Sequence, residues 1–301
     1  MSGGYYTFSD NPCGGRNPDA RVTVLDGSGL RQIMIINLIS PTIVGPFTRL
    51  LVSNLTLQNG IHSSQFGRGG GMQIYSNINS FDVEYWLDNL IVRNNRGYFA
   101  GGIDLSLKRG LVRVVNSLFD DNSAPTSAFS HLAVYIAEAS AGNGSGAILL
   151  NNTFTGGQCA GDGGRGCGIG LVLCNGVRAD VINSMFFNNA ISDVNAEGCA
   201  STGQGNGSVH YSHSRITGTS GNLTPLATSS YSADPRFVNP AAGNFELRND
   251  SFYLDKGLGV PPWYGAYTSQ QDVYGRPRIK TGKLDVGALE NQTGLFYDGF
   301  E

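Results

Sequence analysis

The chain has 301 residues, of which 43 are glycine and only 14% are charged, against a usual ~7% and ~25%. The formal net charge is −3 and the 20 Lys and Arg are scattered without a cluster or stripe, which argues against nucleic acid or an anionic membrane as partner. No window approaches the length of an apolar membrane span, the best, IMIINLI (33–39), being strand-length, so no transmembrane segment is expected.

After Met1 the stretch SGGYYTF has neither a basic start nor an apolar run, so an exported form would have had its leader removed. A first strand and turn follow at RVTVLDG, from residue 21. One frame then recurs: a short apolar strand, an Asn or His, two or three apolar or hydroxyl residues, and a Gly/Asn-rich loop. Its anchors are Asn54 (VSNLTLQNG), Asn89 (LDNLIVRNN), Asn116 (VNSLFDDNS), Asn151 (LNNTFTGG), Asn183 (INSMFFNN) and, degenerately, His213 (SHSRITG), spaced by 35, 27, 35, 32 and 30 residues. A period near thirty with short strands means one supersecondary unit stacked on itself, and its strand-rich form is an all-β parallel β-helix. Abundant Gly and low charge fit this architecture, because each coil turns tightly several times and backbone bonds to neighbouring coils replace charged helices.

A second column is visible where GRGGGMQIYSN, YFAGGIDLSLKRG, SHLAVYIAEA and RGCGIGLVLCNG are aligned, with strands opening at Met72, Ile103, Leu132 and Ile169. Each coil of roughly 30 residues therefore holds three strands: a Gly-opened one, a second such as LVRVV, and, past the Asn turn, a third such as SLFDD. Alternation puts Ile103, Leu105 and Leu107 towards the core and Asp104 and Ser106 outwards. Asn tolerates left-handed backbone and its amide can bond to the next coil, which predicts a stacked ladder of Asn54, Asn89, Asn116, Asn151 and Asn183. Sequons at Asn54, Asn143 and Asn222 are matches expected by accident in a chain this rich in Asn, Ser and Thr.

The five cysteines stand at 13, 159, 167, 174 and 199, without CxxC or Cys/His zinc spacing, so no metal is expected. Two disulfides among five thiols allow fifteen arrangements. Cys167 and Cys199 are 32 residues apart, one coil, and stacked coils at ~4.8 Å lie within disulfide range. The expected pairs are Cys167 with Cys199 and Cys159 with Cys174, the alternative being small buried thiols.

The frame GGGMQIY…DNLIVRNN…GGIDLSL…VNSLFDDNSA resembles the polymorphic outer-membrane-protein repeat of the pectin-lyase-like superfamily, which implies a right-handed parallel β-helix. DPRFVNPAAGNFELRNDSFYLDKG (234–257) with DVYGRPRIKTGKLDVGALE (272–290) is similar to the C-terminal segment of bacterial exported β-helix proteins of the choice-of-anchor class, except that Phe252 and Tyr253 replace smaller residues. GLFYDGFE (294–301) resembles a short tag that ends exported bacterial proteins. Three regions follow: a β-helix over 1–233, an irregular cap over 234–290 and a tail over 291–301. In the cap, Phe237, Phe245, Leu247, Leu254, Val286 and Leu289 are expected to cover the open end of the solenoid and prevent edge-to-edge polymerisation. The resemblance also implies an extracellular or outer-surface location, with disulfides permitted there.

The superfamily includes polysaccharide-cleaving enzymes, but fold alone does not carry function. Glycoside hydrolysis needs two carboxyls on one cleft, and calcium-assisted lyase chemistry needs several oxygen ligands and a base. The outward first-strand column reads Gln73 and Tyr75, Asp104 and Ser106, Ala133 and Tyr135, Gly170 and Val172, with a single carboxylate. Asp120–Asp121 and Arg278–Ile279–Lys280 resemble polygalacturonase fragments but lie far apart, without NTD or GHG between them, and read as a solvated turn and as part of the terminal segment. His62, His131, His210 and His213 share no motif, and GRGGG (67–71) is a turn rather than a phosphate loop. No catalytic residue and no cofactor is therefore expected. Gln73, Tyr75, Asp104 and Tyr135, with Arg96, Tyr98 and Phe99 beside them, suit stacking on sugar rings. The expected function is a monomeric, non-catalytic scaffold for adhesion or recognition of a polysaccharide or cell-surface glycan. The alternatives are a lyase or hydrolase drawing on Asp88, Asp104, Asp120, Asp121, Asp180 and Asp193, and a structural passenger or spacer.

Overall fold

The computed structural model describes residues 17–38, 48–63, 67–77, 83–125, 129–139, 146–160, 166–199, 203–259, 271–279 and 283–292. Cys13, the sequon at 143–145, Lys280 and the tail from 293 lie outside them. Among the described residues the chain is all-β, with one helical turn, Pro240–Ala242.

Two long parallel sheets are built by recurrence. In the seven-stranded sheet, Met34–Leu38, Met72–Ser76, Ile103–Leu107, Leu132–Ile136, Ile169–Leu173, Val194–Gly198 and Thr219–Ser220 follow one another in chain order. The 13-stranded sheet takes the rest of each repeat. Its long strands Thr48–Gln58 and Val83–Arg93 run through the turns at Asn54 and Asn89; later repeats split the same stretch in two, as in Leu111–Val115 with Leu118–Asp120 and Gly146–Leu150 with Thr153–Thr155. Three segments per repeat, each in register with its counterparts, are compatible with a parallel β-solenoid.

Period-two alternation fills the interior between the segments. Ile103, Leu105, Leu107, Val112, Val114 and Phe119 from one repeat are all buried in the main core cluster. Along the third segments the rings of Phe119, Phe154 and Phe186 stack at 4.7 Å between successive centroids, the spacing of the rungs themselves, ~4.7–4.9 Å.

The anchor residues take the left-handed conformation expected of them, with φ of 55° at Asn54, 54° at Asn89, 48° at Asn116, 53° at Asn151, 49° at Asn183 and 47° at His213. The side-chain ladder, however, stands one residue later. Leu90 N donates to Ser117 Oγ (3.1 Å), Ser117 N to Asn152 Oδ1 (3.0 Å), Asn152 N to Ser184 Oγ (3.3 Å) and Ser184 N to Ser214 Oγ (3.0 Å). The bend at the left-handed residue turns this N–H towards the next rung's side chain, and these four side chains are buried, so the pairing satisfies donors that water cannot reach. Of the anchors, Asn151 donates to Asn116 (3.2 Å), whereas Asn89 donates to Pro18 O and Asn183 both donates to Leu258 O and accepts from Leu258 N.

A second buried column follows the third segments. Asn95 Nδ2 donates to Asn122 Oδ1 (3.0 Å). The next position is Gly157, and the imidazole of His131 fills the gap, 3.1 Å from Asn122 Nδ2 and 2.9 Å from Asn189 Oδ1. A Cβ on Gly157 would stand 2.8 Å from His131 Nε2 and 2.6 Å from Cys167 O, so glycine is needed to admit the ring. Burial holds this histidine neutral, its pKa pushed down to about 4.

The four expected cysteines are bonded, but the pairing is Cys159–Cys167 and Cys174–Cys199, with Cα separations of 5.2 and 5.1 Å. This corrects the expected Cys167–Cys199 and Cys159–Cys174 pairs. Stacking does select the second bond, but through the register of the first strands: Leu173 pairs with Gly198, which sets Cys174 beside Cys199, 25 residues on. A spacing of 32 holds between the turns at Asn151 and Asn183 only, and the loop lengths differ between the turns and the first strands.

The C-terminal segment also departs from expectation. Phe237, Phe245, Leu247, Val286 and Leu289 are buried and Leu254 is partly so, but they pack on Ile91, Leu118 and Met185, which face outwards from the third segments. Ala288 N donates to Thr153 Oγ1 (2.9 Å), Gly287 N to Asn183 O (2.8 Å), and Val273 O accepts from Ala20 N (3.2 Å). The segment is therefore a strap along the flank, touching several repeats, rather than a plug at the end. Arg278, from the Arg–Ile–Lys fragment, is buried within it among Asp272, Asp285 and Glu290.

Candidate functional site

The outward face of the seven-stranded sheet carries two rows. Gln73 pairs with Asp104, then Ala133, Gly170 and Asn195; Tyr75 pairs with Ser106, then Tyr135, Val172 and Glu197. Period-two alternation alone aligns these side chains.

The two rows have different fates. Phe129, itself at φ 68°, lies over Ala133 and Gly170, where a Cβ on Gly170 would meet its ring at 2.5 Å. Phe99 packs edge-on to Phe129 (5.3 Å between centroids), and the guanidinium of Arg68 sits over Phe99 at 4.7 Å. Asp104 is covered as a result: it is 1% exposed, 3.7 Å from Arg68 Nη1. Burial raises its carboxyl to about 7, and Arg68 opposes that rise. The cation beside the face is thus Arg68, not Arg96, which lies in the chain turn bridging Ile61 and Ser123.

The second row stays open. Tyr75, 39% exposed, Ser106 and Tyr135 line a shallow cleft of about 350 Å³ with Asn77, Lys108, Glu138 and Gln204. Lys108 Nζ and Glu138 Oε1 are 3.4 Å apart, and Arg109 Nη2 holds the other oxygen of the same carboxylate at 3.2 Å, so two cations share one carboxylate at the cleft. Two aromatic rings between polar and charged groups can stack on an apolar ring face while donating and accepting hydrogen bonds at its edge. Of the four expected site residues, Tyr75 and Tyr135 meet in this cleft, whereas Asp104 lies beneath Arg68 and Gln73 stands beside it in register. Lys108 and Glu138 were missed, although they stand one and two residues past the column ends Leu107 and Ile136. Two larger hollows, of about 420 and 540 Å³, lie on the strap, where Asp250 already holds Arg236 (2.8 Å) and Arg248 (3.3 Å).

The carboxylates that hydrolysis would draw on are spread over separate strand sets. Asp88 and Asp180 belong to second segments, the latter bound to Arg178 at 2.6 Å, and Asp120 and Asp121 end a third segment. Asp193 is occupied by Thr217 N (2.7 Å), Thr217 Oγ1 (2.9 Å) and Asn189 Nδ2 (3.1 Å). No group of three or more His, Cys, Asp or Glu among the described residues could hold a metal ion.

A pH prediction follows from Asp104. Its folded pKa, about 7, lies above the ordinary carboxyl value of 3.8, so the folded state holds a proton that the unfolded chain releases. Its contribution is full below the unfolded value and is lost as pH rises through 7. In thermal melts from pH 5 to 8.5, Asp104→Asn is expected to flatten the decline in Tm seen in the parent protein; parallel curves would refute the assignment.

A comparison of the chain with protein-family models, with curated proteins and with solved structures found no match. Fold and face together define an all-β protein of long parallel sheets with two disulfides, and no helix among the described residues is long and apolar enough to cross a membrane.

Proposed function

We propose that this protein is a right-handed parallel β-helix of the pectin-lyase-like kind that acts outside the cytoplasm as a non-catalytic scaffold, recognising glycans through the Tyr75–Ser106–Tyr135 cleft. The observation that carries the reading is the in-register placement of Tyr75 and Tyr135 two rungs apart on one open face, with polar side chains around them. Two disulfides support an oxidising location. The sequence resemblance to exported β-helix proteins supports the same reading.

The test is retention on immobilised neutral and acidic polysaccharides, with new chain ends assayed in the same tubes. Tyr75→Ala and Tyr135→Ala are each expected to weaken retention about tenfold, the loss of one stacked ring being ~0.5–1.5 kcal/mol beyond its buried area. Wild-type retention without new ends supports the scaffold; absence of retention leaves a passenger or spacer. A polysaccharide lyase or hydrolase is favoured by one observation, the buried Asp104 carboxyl near Arg68. New ends abolished by Asp104→Asn would establish it in place of the scaffold.

A further inference from the structure

The cleft is bounded at one end by a segment that does not belong to its strands. Residues 203–206 return from two repeats further along the chain and pair antiparallel with the turn after Ile169–Leu173, through the Cys174–Asn206 bridge. Asn175 N donates to Gly205 O (2.6 Å), Gly176 N to Asn206 O (3.0 Å) and Gly205 N to Asn175 Oδ1 (3.0 Å). Asn175 Nδ2 in turn donates to Ala137 O (2.8 Å), beside the cleft. The Cys174–Cys199 disulfide ties the two ends of this arrangement, and Gln204 N donates to Cys199 O (3.3 Å).

This places Gln204 where the next rung's outward groove would continue. The cleft is lined by Tyr75, Ser106 and Tyr135 from three successive rungs, but beyond Tyr135 its lining passes to Gln204 rather than to Val172. The open stretch spans two rung spacings, about 9.6 Å at ~4.8 Å per rung, the length of about two linked pyranose rings. A polymer lying along the stack would have to pass through the Gln204 wall. Lys108 and Arg109 share the one carboxylate of Glu138, at 3.4 and 3.2 Å, and Arg68 Nη1 donates to Ser106 Oγ (3.3 Å), so cations outnumber carboxylates around the stretch.

Resting on the glycan-recognition reading above, we infer that this cleft takes the terminal two-sugar unit of a glycan rather than the interior of a chain, and that Gln204, held by the Cys174–Cys199 disulfide, is the specificity-determining end wall. Recognition then depends on the number of chain ends offered, not on the mass of polymer. The wall does not supply the stacking surface, so removing it changes which part of a chain is accepted more than whether sugar is accepted.

The experiment uses the full chain and a polysaccharide that retains it. That polymer is partially hydrolysed to fragments of graded length, and each fragment pool competes for the protein at equal mass. End recognition makes competition rise with the number of ends, so fragments ten times shorter are expected to compete about tenfold better down to two or three sugars. Competition equal across lengths, or better with long fragments, would overturn the end-wall inference while leaving glycan recognition standing. No retention on any polymer would remove both readings. Gln204→Ala changes an exposed side chain; it is expected to reduce the tenfold advantage of short fragments to less than threefold while retention on the intact polymer persists. An unchanged length series in Gln204→Ala would show that Gln204 is not the wall.

Discussion

Phe154→Ala is expected to destabilise the protein more than any other single truncation of the core, by about 3–5 kcal/mol. Phe154 is fully buried and stacks on both sides, with Phe119 and Phe186 each at 4.7 Å, and His131 lies 6.1 Å from its centroid. The cavity cannot collapse easily, because each neighbouring ring is held by its own rung of parallel pairing. Deleting the middle ring therefore removes two contacts as well as its own buried area. Urea unfolding followed by circular dichroism and tyrosine fluorescence would measure the loss. Phe154→Leu should recover about half of it; a cost near 1 kcal/mol for the alanine variant would mean that the ring stack does not hold adjacent repeats together.

Arg278→Ala is expected to release the strap, at a cost of about 3–5 kcal/mol, the range for removing one partner of a buried ion cluster. Arg278 is 2% exposed and donates to the carbonyls of Gly287 and Asp285, with Asp272, Asp285 and Glu290 as its charge partners. Burial raises the Glu290 carboxyl from its ordinary value of 4.5 to about 8, and Arg278 opposes that rise. The folded state thus holds a proton on Glu290 that the unfolded chain gives up, a stabilisation full below the unfolded value and lost as pH rises through 8. Without Arg278 the ionised carboxylates have lost their cation, so the variant's deficit should be larger at pH 9 than at pH 6. Limited proteolysis should then cut within 234–292 first, while the stacked sheets stay protected. Equal protease resistance in the variant and the parent at both pH values would refute the lock.

The signals that were legible are those imposed repeatedly by local backbone chemistry. Strands open at Met72, Ile103 and Ile169 because a glycine precedes an alternating apolar run, and at Leu132 on the apolar run alone. The turns at Asn54, Asn89, Asn116, Asn151 and Asn183 declare themselves because few side chains accept positive φ there. Tyr75 and Tyr135 could be placed on one face for the same reason, since period two fixes which face a residue takes once the strand is known.

What failed to show in the chain depends on unequal loops and on directions at bends. The polar ladder runs through Ser117, Asn152, Ser184 and Ser214 instead of the anchors, because the bend decides which side chain reaches the next rung's N–H. Disulfide pairing followed the first-strand register, which differs from the anchor spacing wherever the connecting loops differ in length.

Amino-acid order alone thus determined the stacked all-β repeat, its core-facing residues and the aromatic pair on its outer face, because these follow from propensity and periodicity at short range. Tertiary structure decided that the apolar C-terminal residues strap the flank instead of closing an end, that Arg68 and Phe99 cover Asp104, and that Gln204 walls the cleft. Each of these joins residues distant in the chain, and the apolar count or the charge of a segment says how much it can bury or pair, not which surface it will meet.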